Sequence, residues 1–339
     1  MTPQDFLRRF GAVAGDEARA EFLADFFAAR GEEVRRDEEG NLWVGGGPVA
    51  FAAHIDTVLE PRPLTLEEER WWGPAVGDNS SGVAVLATAW ERVPEGATLA
   101  FTVGEEGLGN LRGARAFVRE RRPAAFVAVD GYLGSLVTRA LGSVRYEVRF
   151  LAAGGHSWGD RSAPNPAWAL GRMIQAVQAL PCCEGASRSV ARVWGGGAIN
   201  AIPEEVGLAL DVRAVDPVRL DEAERRIRTV AMEAAHLEQV ETEVRLLGRR
   251  PAGSTADAGL LACAREAGAA AGLAVEEGAG STDMAAAVEQ GIPAITLGVY
   301  RGGGAHTEAE WVDPASLDQG VALLRAFWRC YRGRAASQA

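Results

Sequence analysis

The sequence predicts an α/β protein: a mostly parallel sheet flanked by helices, interrupted by a smaller inserted domain. Three observations predict it. Short apolar runs alternate with helical periodicity through the first third of the chain. Near Leu141 the texture changes to a β-α-β-β-α-β order. From Ala256 the first pattern resumes.

Each element follows from local pattern. Asp5 to Arg30 carries apolar residues at helical spacing and stops at Gly31, predicting an N-terminal helix. Leu42–Val44, Val49–Ala53, Thr98–Val103 and Ala125–Val129 are short apolar runs ending in polar or Gly-rich residues, as buried parallel strands do. Gly82 to Val93 is expected to be helical. Beyond Leu141, strands are predicted at Val144–Phe150, Val190–Val193, Val206–Val215 and Val240–Leu247, with helices at Pro166–Leu180 and Leu220–His236. That order is a split-βαβ, ferredoxin-like sandwich. Ala294–Val299 reads as a further buried strand. The expected division is therefore residues 1–140 and 250–339 in one domain and 141–249 in the insert, with a frayed tail at Gly333–Ala339.

Composition narrows the function classes. A net charge of -11 over 339 residues argues against a nucleic-acid footprint. No apolar run approaches the ~18 residues of a membrane span, and Met1 to Phe27 mixes charges with apolar residues unlike a signal peptide. Every basic residue counted is arginine, which removes lysine-dependent phosphate loops and Schiff-base enzymes. Cys182 and Cys183 are adjacent, and Cys263 and Cys330 lie far apart. This is no disulfide framework, so reduced thiols and a cytoplasmic location are expected.

The chemistry sits where the apolar runs stop, the edge at which open α/β sheets build sites. His54 and Asp56 follow the second run, and Asp78 opens the next helix within Gly77-Asp78-Asn79-Ser80-Ser81-Gly82. Glu105 and Glu106 follow the third run, Asp130 the fourth, and His306 comes after Gly302-Gly303-Gly304. Imidazole and carboxylate together are what borderline divalent cations bind. A two-metal site needs a bridging carboxylate and a further carboxylate to accept a proton from water. Adjacent side chains diverge, so one of Glu105 and Glu106 can ligate while the other faces the water. Asp56, two residues from His54, suits a group that fixes the imidazole tautomer.

These blocks, with Ser281-Thr282-Asp283 and His306-Thr307 followed by Glu310, resemble the zinc exopeptidase and deacylase family. That family includes glutamate carboxypeptidase, acetylornithine deacetylase, succinyl-diaminopimelate desuccinylase and peptidase T. The resemblance spans nearly the whole chain and implies a zinc-exopeptidase type of fold. It also implies two divalent metal ions, zinc with cobalt or manganese as substitutes: His54 and Asp130 on one, Glu106 and His306 on the other, Asp78 bridging and Glu105 as general base. It further implies an oxyanion role for His156 and substrate contacts for Asn200 and Arg213, with Gly280 and Ser281 added from the Ser-Thr-Asp block. The insert would serve as lid and homodimer surface. Two departures stand out. A Ser-Pro-Ser-Gly-like turn is replaced by Val13-Ala14-Gly15-Asp16, and Asn79-Ser80-Ser81 lacks the lysine of several deacylases.

The expected activity is hydrolysis of an amide bond in a small peptide, with an N-acyl amino acid as the alternative substrate. Arg213 suits a carboxylate in either. Two other classes remain open at this point. Gly155-His156-Ser157-Trp158-Gly159 matches a serine-hydrolase elbow, with Asp283 and His306 following in order, although Pro164 and Pro166 interrupt the helix that an elbow requires. A catalytically silent peptide-binding relative is the other.

Overall fold

Alternate residues of the short apolar runs point to opposite faces of one sheet, and both faces are covered. In the computed structural model, which describes residues 1–180 and 185–338, Phe51 and Ala53 pack into one core while Ala50 and Ala52 pack into another. Phe101 against Ala100, and Val127 against Phe126 and Ala128, repeat the division. A strand buried on both faces gains nothing from an unpaired polar residue, which is why these runs are apolar but for Thr98 and Thr102, whose hydroxyls donate to Gly47 O and Asp283 Oδ2.

The main sheet has eight strands in the order Val34–Arg36, Leu42–Gly45, Ala97–Thr102, Val49–His54, Ala125–Val129, Ala294–Leu297, Ser135–Ala140 and Glu276–Gly280. The central four run parallel. Leu42–Gly45 joins antiparallel on one side and Ser135–Ala140 on the other. Helices Pro3–Phe10, Asp16–Ala28, Ser80–Thr88, Ala258–Ala270 and Ser316–Gln338 contribute to one core; Arg112–Arg121 and Met284–Glu289 contribute to the other.

The chain folds as two compact units, residues 1–140 with 254–339 and residues 141–253. The second unit is an antiparallel sheet, Ala186–Gly195, Glu205–Ala214, Gly142–Leu151 and Glu241–Arg250. Helices Pro166–Ala179 and Pro217–Glu238 pack on one face through Met173, Leu220 and Ile227. Its other face carries ion pairs such as Arg145–Asp211 at 3.0 Å and Arg245–Glu147 at 2.9 Å. One wet face and one dry face account for the alternation from Val144 to Leu151 along Gly142–Leu151.

Several expectations need correction. The N-terminal helix is two helices, because the Gly11–Gly15 corner includes Gly15 at φ 82°, a left-handed value foreign to a helix interior. The next helix runs Ser80–Thr88 rather than from Gly82 to Val93. A small sheet of Arg301–Gly303, Trp311–Asp313, Trp71–Trp72 and Thr65–Leu66 was not legible, since strands of two or three residues carry no period. Cys263 and Cys330 are not isolated thiols: they form a disulfide, with Cα atoms 5.4 Å apart. They meet because helix Ala258–Ala270 packs against Ser316–Gln338, a neighbourhood that spacing does not reveal. Cys182 and Cys183 lie outside the described residues. Among the described residues no helix is long and apolar enough to cross a membrane.

Candidate metal centre

Parallel register sets His54 opposite Thr102, so the residues just past Thr102 emerge at the same edge. Asp130 follows Val129 on the neighbouring strand. His54 is 2 % exposed. Its Nδ1 lies 3.1 Å from the backbone oxygen of Asp56, and a carbonyl only accepts, so Nδ1 carries the proton and Nε2 is left to face Asp78. The tautomer is thus set by the main chain of Asp56 rather than by its carboxylate, which is 3.7 Å away. That carboxylate instead accepts from the amides of Glu105 at 3.1 Å and Glu106 at 2.7 Å, fastening the turn that carries both glutamates.

Asp78 lies between the two imidazoles. Its Oδ1 is 3.1 Å from His54 Nε2 and its Oδ2 is 3.2 Å from His306 Nε2. The Asp78–Asn79 peptide is cis. Asn79 Nδ2 donates to the carbonyl of Val129 at 3.0 Å, tying this loop to the strand that delivers Asp130. Gly82 leaves the space that Asn79 fills: a Cβ there would meet Asn79 Oδ1 at 1.9 Å. His306 reaches the site from a turn in which its own φ is 64°, an uncommon conformation for a residue with a side chain. Its Nε2 lies 3.2 Å from Glu106 Oε1, yet that buried oxygen has no hydrogen-bond partner. Two lone-pair donors aimed at one point, without a hydrogen bond between them, suit a shared cation.

The electrostatics agree. Burial, followed by the charges of Asp78 and Glu105, pushes Glu106 up to about 7. Burial and then the Asp78 charge hold Asp130 well above the carboxylate range. The hydrogen bond to Asp78 leads the causes that raise His306 to about 9. Burial alone would depress His54, but contacts with Asp56 and Asp78 leave it well above its ordinary value. Asp78 is the converse: burial opposes its charge, and the two imidazoles hold it well below the usual range. Such a cluster of carboxylates lacks positive charge. Among the described residues, three groups have ligand atoms close enough for one ion: His54, Asp78 and Asp130; Asp78, Glu106 and His306; and His54, Glu105 and Glu106. The first two share Asp78.

Behind the site, Thr102 Oγ1 donates to Asp283 Oδ2 at 2.5 Å. Asp283 sits at the N-cap position of Met284–Glu289 but makes no capping bond, and burial pushes it up to about 7. Gly280 ends the edge strand and Ser281 follows it. Asp16, from the α-helical corner, is close enough to Asp56 and His54 to feel their charges. It carried no sequence signal beyond its place in a departing motif.

The remaining candidates belong to the second unit. Gly155–His156 pairs with Ala201–Ile202, which brings His156 beside Asn200, whose carbonyl accepts from Ser157 N at 2.9 Å. His156 Nδ1 accepts from the amides of Trp158 and Gly159, both at 3.2 Å, so a neutral ring carries its proton on Nε2. Arg213 is not brought to this group. It lies at the other end of Glu205–Ala214, opposite Ser143, with Nε bonded to Asp211 at 2.8 Å. The serine-hydrolase alternative fails on geometry. No helix follows Ser157 before Pro166, Asp283 is engaged by Thr102, and His306 faces Asp78 and Glu106.

The sequence model of Peptidase family M20/M25/M40 matches residues 50–329. The chain belongs to this family. Membership makes it a hydrolase of the metallopeptidase and amidohydrolase class. It resembles in fold the aminopeptidase PepT of Bacillus cereus ATCC 10987, at 20% identity and a TM-score of 0.80 over 97% of this chain and 99% of that one. A tripeptidase of Staphylococcus aureus subsp. aureus Mu50 gives 19% identity and a TM-score of 0.82 over 96% of each chain. A LysW-lysine/LysW-ornithine hydrolase of Pyrobaculum aerophilum is 32% identical over 126 residues, a match spanning 35% of this chain and about a third (36%) of that protein's length.

Proposed function

We propose that this M20-family chain is a di-zinc hydrolase that cleaves the amide bond of short peptides as an exopeptidase or dipeptidase. The observation that carries the reading is Asp78, whose two carboxylate oxygens address two different imidazoles at 3.1 and 3.2 Å. His54, Asp78 and Asp130 would hold one ion, and Asp78, Glu106 and His306 the other. The donor chemistry fits zinc, with nitrogen and oxygen ligands and no thiolate. Bound there, divalent cations would polarise the substrate carbonyl and acidify a water.

Glu105 is the remaining carboxylate of the turn. It is 5 % exposed, and its backbone is held by Asp56. In this reading a carboxylate oxygen of Glu105 takes the proton of the attacking water and passes it to the nitrogen of the departing amine. Short peptides come first as substrates because structures at TM-scores of 0.80 and 0.82 are named an aminopeptidase and a tripeptidase. N-acyl amino acids come second, supported by the hydrolase name of the Pyrobaculum aerophilum relative.

A panel of dipeptides, tripeptides and N-acetyl or N-succinyl amino acids, assayed with zinc, cobalt or manganese and again with chelator, tests the reading. Turnover of the peptides should require metal. Glu105→Gln should reduce kcat by at least about 10²-fold while zinc content stays at the wild-type level. Turnover that survives chelation would remove the metal mechanism, and zinc loss in Glu105→Gln would make Glu105 a ligand.

A further inference from the structure

Glu310 is a buried carboxylate for which the reaction scheme has no use. It is 2 % exposed, a costly position for an acid unless donors surround it. Its Oε1 accepts from the amide of Asp78 at 2.8 Å, and the amides of Ala75 and Gly77 lie near enough to favour its charge, while its buried Oε2 has no hydrogen-bond partner among the described residues. Its main chain is equally engaged: the carbonyl accepts from Gly73 N at 3.0 Å, and its own amide donates to Thr307 O at 3.2 Å. One residue therefore grips the loop ending in Asp78 through its side chain and carbonyl, and the turn carrying His306 through its amide.

The grip is tight. A Cβ built on Gly77 would lie 2.6 Å from Glu310 Oε1 and 3.0 to 3.1 Å from the Tyr300 ring and hydroxyl, so only glycine fits beneath the carboxylate. Ala75 is held at φ 60°, a left-handed value that a non-glycine residue adopts when its surroundings impose it. The turn Gly73-Pro74-Ala75-Val76, closed by Val76 N donating to Gly73 O at 3.2 Å, sets that value, and Glu310 O holds its first residue by accepting from Gly73 N.

We propose that Glu310 is a positioning residue that sets Asp78 against His306 and thereby governs how tightly the site holds its cations. The inference rests on the metal reading above. A merely structural clamp would lower the stability of the metal-free fold and leave the zinc affinity of the folded protein alone. A positioning role changes the affinity, and for both ions, because Asp78 addresses both imidazoles.

The experiment compares wild type, Glu310→Gln and Gly77→Ala as full chains. Gln keeps the volume and one acceptor oxygen but removes the negative charge that faces the Asp78 amide, and Ala at position 77 displaces the carboxylate without changing Glu310 itself. Zinc dissociation constants are read by competition with a chromophoric chelator, alongside thermal melts of the metal-free proteins. Both variants should bind zinc about 10- to 100-fold more weakly, the range seen when groups supporting metal ligands are removed, while their metal-free melts show a folded protein. Gly77→Ala decides alone should Glu310→Gln not fold. Wild type binding zinc, with a folded variant matching it within twofold, overturns this inference only. Wild type binding no zinc overturns the metal reading and this inference with it.

Discussion

Glu106, Asp130 and His306 each prefer a proton more than their free counterparts do, and for connected reasons. Burial and neighbouring carboxylates raise Glu106 to about 7 and hold Asp130 well above its ordinary range, while Asp78 raises His306 to about 9. A divalent cation must displace those protons, so zinc affinity should rise with pH through about 7. Below that it should fall about tenfold per pH unit for every proton released. Calorimetric titrations at pH 6 and 8, in buffers of different protonation enthalpy, measure the release directly; an affinity independent of pH and buffer would refute it. The sign for folding is opposite. In metal-free protein the raised Glu106 favours the native state below about 4.5 and loses that contribution as pH climbs to about 7, and His306 loses its own between about 6.5 and 9. The grouped residues were legible because each follows an apolar run or a glycine turn. Glu310 was legible only as part of a motif, since its partner Asp78 lies 232 residues away.

Helices and strands reach the site through anchors of their own, and Arg19 is the plainest. It lies on Asp16–Ala28 and is 1 % exposed, with Nη2 bonded to Ser80 Oγ at 2.8 Å, Nη1 to Val13 O at 3.2 Å and its guanidinium 4.0 Å above the Phe10 ring. Burial lowers it to about 9, and the charges of Asp16 and Asp56 oppose the loss. It therefore couples the second helix to the first residue of Ser80–Thr88, just past Asp78. Arg19→Ala removes both bonds and opens a cavity, and should cost about 3 kcal/mol of stability. Arg19→Met keeps most of the volume and should cost less. Chemical denaturation of both variants checks the order; equal losses would mean that packing contributes little. An arginine on the buried face of a helix looks, in sequence, like one more surface charge. The doubly buried strands were legible from their nearly continuous apolarity and the second unit from its alternation. The helix break at Gly11–Gly15 was hidden because both halves share one apolar period.

Over the whole molecule, each unit has its own core, and every proposed ligand lies in the unit built from the two ends of the chain. The Cys263–Cys330 disulfide belongs to the same unit and joins Ala258–Ala270 to Ser316–Gln338 across 67 residues. Closing a loop of that length removes enough unfolded-chain entropy to stabilise by about 4 kcal/mol on the chain-entropy model. For a unit of this size the change corresponds to roughly 10 °C in midpoint. Neither helix supplies a proposed ligand, so the bond should act on stability and leave the zinc affinity unchanged. The double variant Cys263→Ala with Cys330→Ala separates the two effects, because Ala leaves no buried hydroxyl at the fully buried Cys263. In scanning calorimetry, zinc should raise and the double variant should lower the same transition, that of the unit holding the ligands. The transition of residues 141–253 should respond to neither. A variant that melts like wild type, or that loses zinc affinity while folded, would show that the crosslink is dispensable or that it shapes the site.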